Sequence, residues 1–192
     1  MILSVAVNLA VAVFTALAVA QHCRHKRPLK NVLRFFTALS NLFCAAACLL
    51  TAVFRLCGGV PQAVLWLKFV GTAAVSVTFL TVMCFLGPVV YDYKKMLTGP
   101  DLWLHLVCPV LAVVSLIAWD RPRAPFGLVL LGALPVLLYG AYYLAHVVLA
   151  LPEKRWEDFY GFNRGGKWYL SYILMLLLAL LVSFALWLGV RG

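Results

Sequence analysis

Six long apolar stretches, separated by short polar breaks, account for nearly the whole chain. They run from about Ile2 to Ala20, Val32 to Phe54, Ala63 to Tyr91, Leu102 to Trp119, Phe126 to Ala150 and Trp168 to Leu188. A helix needs about 20 residues to cross the hydrocarbon of a bilayer, so each stretch predicts a transmembrane helix. The third is longer than a span requires, which predicts a tilt or a kink at Gly87-Pro88. Its Gly71-Thr-Ala-Ala-Val-Ser76 segment presents small residues suited to close helix packing. The breaks hold turn formers: Gly58, Gly59 and Pro61, then Gly99-Pro-Asp101, then Asp120-Arg-Pro-Arg-Ala-Pro125. The fold class is therefore all-α, a polytopic membrane protein with six transmembrane helices in a compact bundle. Residues 1–192 form a single domain.

Composition agrees with that pattern. The 192 residues are 65% hydrophobic and 11% charged, a balance that leaves too few polar side chains to clothe a soluble domain. Trp103, Trp119, Trp156, Trp168 and Trp187 fall near span ends, as an interfacial aromatic belt does. The six cysteines (Cys23, Cys44, Cys48, Cys57, Cys84 and Cys108) form no CxxC and no disulfide framework, and read as small packing residues.

The net charge of +10 suggests topology rather than nucleic acid, because the basic residues cluster between spans and no nucleic-acid motif accompanies them. The first, third and fifth loops hold Arg24, Lys26, Arg27, Lys30, Lys94, Lys95, Lys154, Arg155, Arg164 and Lys167; the second and fourth hold Arg55, Arg121 and Arg123. The positive-inside rule places the odd loops in the cytoplasm and both termini outside. Ala18-Val-Ala20 resembles a signal-peptidase site, but the basic run follows the apolar stretch instead of preceding it, so the first span reads as retained.

Polar residues inside spans are costly and point to function. Thr37, near the start of the second span, and His105, near the start of the fourth, lie within about 10 Å of the same membrane face, at about 1.5 Å rise per residue. A threonine hydroxyl beside an imidazole is a nucleophile with its base. Asn41 and Ser40 share a helix face with Thr37 at i+4 and i+3. Asn41 is a candidate to donate to an oxyanion, and Ser40 is an alternative nucleophile. Asp101, one turn before His105, is a candidate to orient the imidazole; Asp92, at the end of the third span, is the alternative. Each residue alone also has an ordinary explanation, as a hydroxyl satisfying a backbone carbonyl, an interhelical hydrogen bond, or an imidazole reaching headgroup water.

Tyr139, Tyr142, Tyr143 and His146 follow i, i+3, i+4, i+7 on the fifth span, which makes them one face. They are candidates to line a lipid cavity, with His146 a second base, or they form a packed aromatic stripe. The fifth loop, Leu151 to Lys167, mixes aromatics, glycines and charges and includes Tyr160 and Asn163 as further cavity candidates. It reads either as a lid or as an interfacial loop. His22, Cys23 and His25 lie close together but lack further ligands, so no metal site and no cofactor is expected. No phosphate-binding glycine loop or GxSxG elbow occurs.

Phe35-Phe-Thr37-x-x-Ser40-Asn41 early in one span, with Leu104-His105 and then Pro109 two spans later, resembles the androgen-induced protein family of six-span intramembrane hydrolases. That resemblance implies cleavage of fatty acid esters of hydroxy fatty acids by a membrane-embedded threonine and histidine, with Thr37 and His105 in those roles. The layout is closer to bacterial membrane proteins than to the animal members, which have no counterpart of the Trp156 to Trp168 loop. A related branch of phospholipid acyltransferases uses a cysteine where this chain has Thr37. The expectation is thus an intramembrane lipid ester hydrolase whose partners are membrane lipids or lipid esters. The alternative is a non-enzymatic lipid-binding or regulatory protein in which the threonine, asparagine and histidine form a structural network. A small transporter is less well supported, because no second half repeats the first.

Overall fold

The computed structural model describes residues 1–24 and 28–191. His25, Lys26 and Arg27, which belong to the basic run and to the His22, Cys23, His25 group, lie outside the described residues. Among the described residues six helices are long and apolar enough to span a membrane: α1 (Ile2–Arg24), α2 (Phe36–Leu56), α3 (Gln62–Val90), α4 (Pro100–Ala118), α5 (Gly127–Leu149) and α6 (Trp168–Arg191). The chain is a multi-pass integral membrane protein. No strand occurs among the described residues.

The third helix is the hub and packs against α2, α4, α5 and α6, while α1 covers α2 and α4. Close approach follows from its small residues. A Cβ on Gly71 would lie 2.9 Å from the Cys44 backbone, so only glycine lets α2 and α3 come so near. Ala73 and Ala74 next to it are wholly buried. On the other side, Phe69, Val77, Leu116, Leu128 and Leu186 knit α3 to α4, α5 and α6. Trp187, expected in an interfacial belt, is instead 9% exposed and part of this core, with its indole N–H donating to the Ala124 carbonyl at 2.9 Å.

The expected kink in α3 takes a specific form. The helix widens to a π register over Val82–Val90, which contains Gly87 and Pro88. The same register recurs at Trp103–Val107 in α4 and Ala145–Leu149 in α5. In the alternating path of the chain, all three segments fall at the odd-loop end of the bundle. A π register redirects backbone carbonyls, and that end is where the site lies.

The even-loop end is closed by a buried ionic cluster. Lys68, the one charged residue within α3, is 0% exposed. Its ammonium donates to Asn8 Oδ1 at 2.6 Å, Ser115 Oγ at 2.7 Å and Asp120 Oδ2 at 2.5 Å. Asp120 also accepts from Ser4 at 2.6 Å, Asn8 at 2.8 Å, Ser115 at 2.8 Å and Arg55. Every ammonium proton has an acceptor and the carboxylate is saturated, which is what burying charge in a bilayer demands. The cluster joins α1, α2, α3, α4 and the fourth loop.

Candidate functional site

The first turn of α2 supplies one wall of the site. A single-turn helix at Leu29–Val32 ends before it, and Phe35 is extended (φ −91°, ψ 133°), so the spanning helix starts afresh at Phe36. Thr37 is therefore the second residue of the helix rather than about five residues inside one beginning at Val32. The break matters because first-turn N–H groups lack intrahelical acceptors and carry the positive end of the helix dipole. The Phe36 N–H donates to the Tyr160 hydroxyl at 2.9 Å. The hydroxyl and N–H of Thr37 lie against the same phenol oxygen.

The opposite wall is the π-helical start of α4. His105 is 4% exposed, and its Nδ1 lies 2.7 Å from the Met96 carbonyl. A carbonyl only accepts, so Nδ1 carries a proton, and in the neutral ring Nε2 then keeps its lone pair, the tautomer a general base needs. Neither expected carboxylate orients this ring. Asp101 pairs instead with His22 Nε2 at 3.1 Å, across to the end of α1. Asp92 accepts from the Lys94 N–H at 3.1 Å and caps the short helix Tyr93–Met96. It thereby steadies the turn that presents the Met96 carbonyl, without touching the imidazole.

Asn41 does not serve as the oxyanion donor expected from its spacing. Both protons of its amide are used, on the Thr37 carbonyl at 2.8 Å and the Leu104 carbonyl at 3.0 Å. In a π register the Leu104 carbonyl looks to residue 109, and Pro109 has no N–H to give. Asn41 fills that need and so ties the backbone of Thr37 to the residue beside His105. Ser40 is also committed to packing, with its hydroxyl 3.2 Å from the Thr37 carbonyl and 3.1 Å from the Thr78 hydroxyl. Of the two hydroxyls, only that of Thr37 faces open space.

Two cavities meet at Thr37. The larger encloses about 1080 Å³ of atom-free space, its mouth included, and is lined by Thr37, His105, His22, Lys95 and Asp101 among others. The second, about 510 Å³ with the open space at its mouth included, is lined almost wholly by apolar atoms, from Val82, Val136, Tyr139, Tyr172 and Met175 among others. Three residues line both: Thr37, Leu86 and Tyr160.

The fifth loop folds over this junction as a lid. Its Trp156, Phe159, Tyr160 and Phe162 pack on Tyr143, Leu144 and Val147 of α5. Asp158 organises the turn by accepting from the Tyr143 hydroxyl at 2.8 Å and from the N–H groups of Phe162 at 2.9 Å and Asn163 at 2.7 Å. The Tyr160 N–H donates to the Tyr143 hydroxyl at 3.2 Å, and the Tyr91 hydroxyl donates to the Phe159 carbonyl at 2.8 Å. Burial pushes the Tyr160 phenol up to about 12, although the Tyr139 hydroxyl and the N–H groups of Phe36 and Thr37 favour its ionised form. The phenol thus keeps its proton at neutral pH.

Of the expected cavity residues, Tyr139 and Tyr160 line the cavities. Tyr142, Tyr143, His146 and Asn163 line neither. Tyr143 is wholly buried and buttresses the lid, whereas His146 stacks on Trp156 with ring centroids 4.2 Å apart and sits beside Tyr142. The aromatic face of α5 is therefore mainly a seat for the lid. Sequence reasoning missed the Met96 carbonyl, for which a backbone atom leaves no signal. It also missed Lys68, whose signal was plain: a lone charge within an apolar span.

Compared with protein-family models, curated proteins and solved structures, the chain finds no match.

Proposed function

We propose that the protein is an intramembrane lipid ester hydrolase, of the kind its Thr37 and His105 segments resemble. The observation that carries this reading is the shared cavity. Thr37 and His105 line one space, the imidazole is held through Nδ1 so that Nε2 is the nitrogen left for a base, and the threonine sits at a helix N-terminus. Among the described residues no hydrogen bond joins the two directly. A nucleophile and its base often close up only when substrate is bound.

The chemistry runs in two halves. The Thr37 oxygen bonds to the ester carbonyl carbon while His105 Nε2 takes the hydroxyl proton. The tetrahedral oxyanion accepts from the Tyr160 phenol, next to the developing charge. The bond to the alcohol oxygen breaks, and His105 returns the proton to it. Water then gives a proton to His105 and attacks the acyl-threonine. Thr37 leaves, recovers its proton, and a fatty acid is released. Asn41 holds the two walls in register throughout. The odd-loop face carrying the site is proposed to lie in the cytoplasm.

Labelling of purified protein with a fluorophosphonate probe tests the reading. Adduct formation is expected at Thr37 and should vanish in Thr37→Ala and fall sharply in His105→Asn; labelling that survives Thr37→Ala removes the proposed nucleophile. The second reading, a non-enzymatic lipid-binding or regulatory protein, draws support from Ser40 and Asn41, whose donors are spent on packing. It predicts that Thr37→Ala and His105→Ala lower the melting temperature sharply and that wild type hydrolyses no ester.

A further inference from the structure

The two cavities differ in chemistry, and the proposed nucleophile Thr37 lines both. The narrower cavity lies between α3, α5, α6 and the first turn of α2, and its walls are almost entirely hydrocarbon and aromatic. The wider one has apolar side chains on its walls, Val32, Phe35 and Leu104 among them, but it also carries the Lys95 ammonium and the Asp101 carboxylate, the latter 3.1 Å from His22 Nε2. An apolar chain laid there would strip water from ionic groups without replacing their hydrogen bonds. A polar group placed in the narrow cavity would have few partners. Leu86 and Tyr160 border both spaces, with Thr37 at the opening between them.

We infer that the substrate is a monoacyl ester of a polar alcohol, with its single acyl chain in the narrow cavity and its alcohol in the wide one. The ester carbonyl then falls at the junction, where the Thr37 hydroxyl and the Tyr160 phenol meet. Cleavage leaves the acyl group on Thr37 with its chain still seated in the apolar cavity. The alcohol departs through the polar mouth toward the headgroup layer. A substrate with two long apolar chains would have to lay the second one against Lys95 and Asp101. The chain site is shaped by a close approach: a Cβ on Gly140 would lie 2.4 Å from the Tyr172 ring, so glycine there lets Tyr172 close one side of it. Tyr172 is held in that pose by its hydroxyl, which donates to the Leu137 carbonyl at 2.8 Å.

This inference rests on the hydrolase reading, and the experiment separates the two. Hydrolysis of p-nitrophenyl acetate, octanoate and palmitate is measured for wild type, Thr37→Ala, Met175→Trp and Thr81→Leu, with monopalmitoylglycerol and palmityl palmitate as natural-type esters. The bulkier side chains at 175 and 81 fill the narrow cavity and should lower the palmitate-to-acetate ratio by at least about tenfold, since lost apolar contact discriminates on that scale. Wild type should cleave monopalmitoylglycerol and leave palmityl palmitate nearly untouched. Fluorophosphonate labelling of each cavity variant reports that its fold is intact.

Equal turnover of the two palmitoyl esters, or an unchanged chain-length ratio in both cavity variants, overturns the inference while Thr37-dependent hydrolysis keeps the enzyme reading. Absence of Thr37-dependent hydrolysis of every ester removes the enzyme reading. In that case photocrosslinking with a terminal-diazirine palmitate still reads the chain site. Adducts on α3, α5 and α6 that decline in Met175→Trp support it, and adducts elsewhere overturn it.

Discussion

Asp120→Ala should be the most damaging single substitution at the even-loop end of the bundle, and more damaging than Lys68→Met. The side chains of Lys68 and Asp120 are both 0% exposed. Removing the carboxylate leaves a buried ammonium with only Asn8 and Ser115 as acceptors, both neutral. Breaking a buried pair from one side costs about 3–5 kcal/mol. Removing the ammonium is milder. Asp120 keeps the Arg55 guanidinium and the hydrogen bonds from Ser4, Asn8 and Ser115, so the loss is nearer the about 1.5–3 kcal/mol of one charged hydrogen bond. The double variant Lys68→Met/Asp120→Asn should recover part of the Asp120→Ala loss, because no unpaired charge remains in the α3 position.

The same cluster sets a pH dependence. Burial alone would raise the Asp120 carboxyl, but the Lys68 charge and the hydrogen bonds from Lys68, Ser4 and Asn8 outweigh it and hold the group well below the usual carboxylate range. The folded value lies under the unfolded one, so this contribution is complete above the unfolded value of about 4 and is lost only as pH falls toward the folded value. Thermal melting in detergent and in nanodiscs, over a range of pH, measures both effects. Wild type should lose stability on acidification below about pH 4, and Lys68→Met should lose less. An Asp120→Ala protein that melts like wild type, or a Lys68→Met protein that melts lower than Asp120→Ala, would refute the account.

Four further outcomes are expected. Tyr160→Phe should slow ester hydrolysis by about 10²–10³ with little change in KM, as loss of an oxyanion donor does, and an unchanged kcat would exclude the phenol from that role. Asn41→Ala should lower kcat by about a hundredfold through misplacement of Thr37 against His105. Asp101→Asn should leave kcat within a few-fold of wild type, because Asp101 pairs with His22 rather than with His105. The exposed Cys57, in the second loop, should react with a membrane-impermeant maleimide added outside intact cells if the even loops are external; labelling only after permeabilisation inverts the topology.

The six spans were legible because spanning is a summed property: about 20 apolar residues reach across a bilayer whatever their neighbours do. Their ends were less so. The extended Phe35 and the separate turn at Leu29–Val32 come from backbone geometry that apolar Val32 and Leu33 do not betray. Thr37 and His105 share a cavity as their common depth suggested. Their supporting residues were misassigned because i, i+4 spacing identifies neighbours on one helix, while Asn41 and His105 bond to carbonyls on other segments. Those carbonyls are presented by a π register and a capped turn, which hydropathy does not encode.

Sequence alone determined what must leave water and at what depth, since hydropathy and rise per residue are local. It therefore specified a six-helix membrane bundle with a hydroxyl and an imidazole near one face. Tertiary structure decided which polar groups are spent and which remain free. Asn41 and Ser40 are consumed in joining helices, Asp101 is drawn to His22, and Lys68 is matched with Asp120. Thr37 and Tyr160 are left at the junction of two cavities, with His105 lining the larger one. The reason is that each buried donor or acceptor must find a partner, and partners far apart in the chain are brought together only by packing.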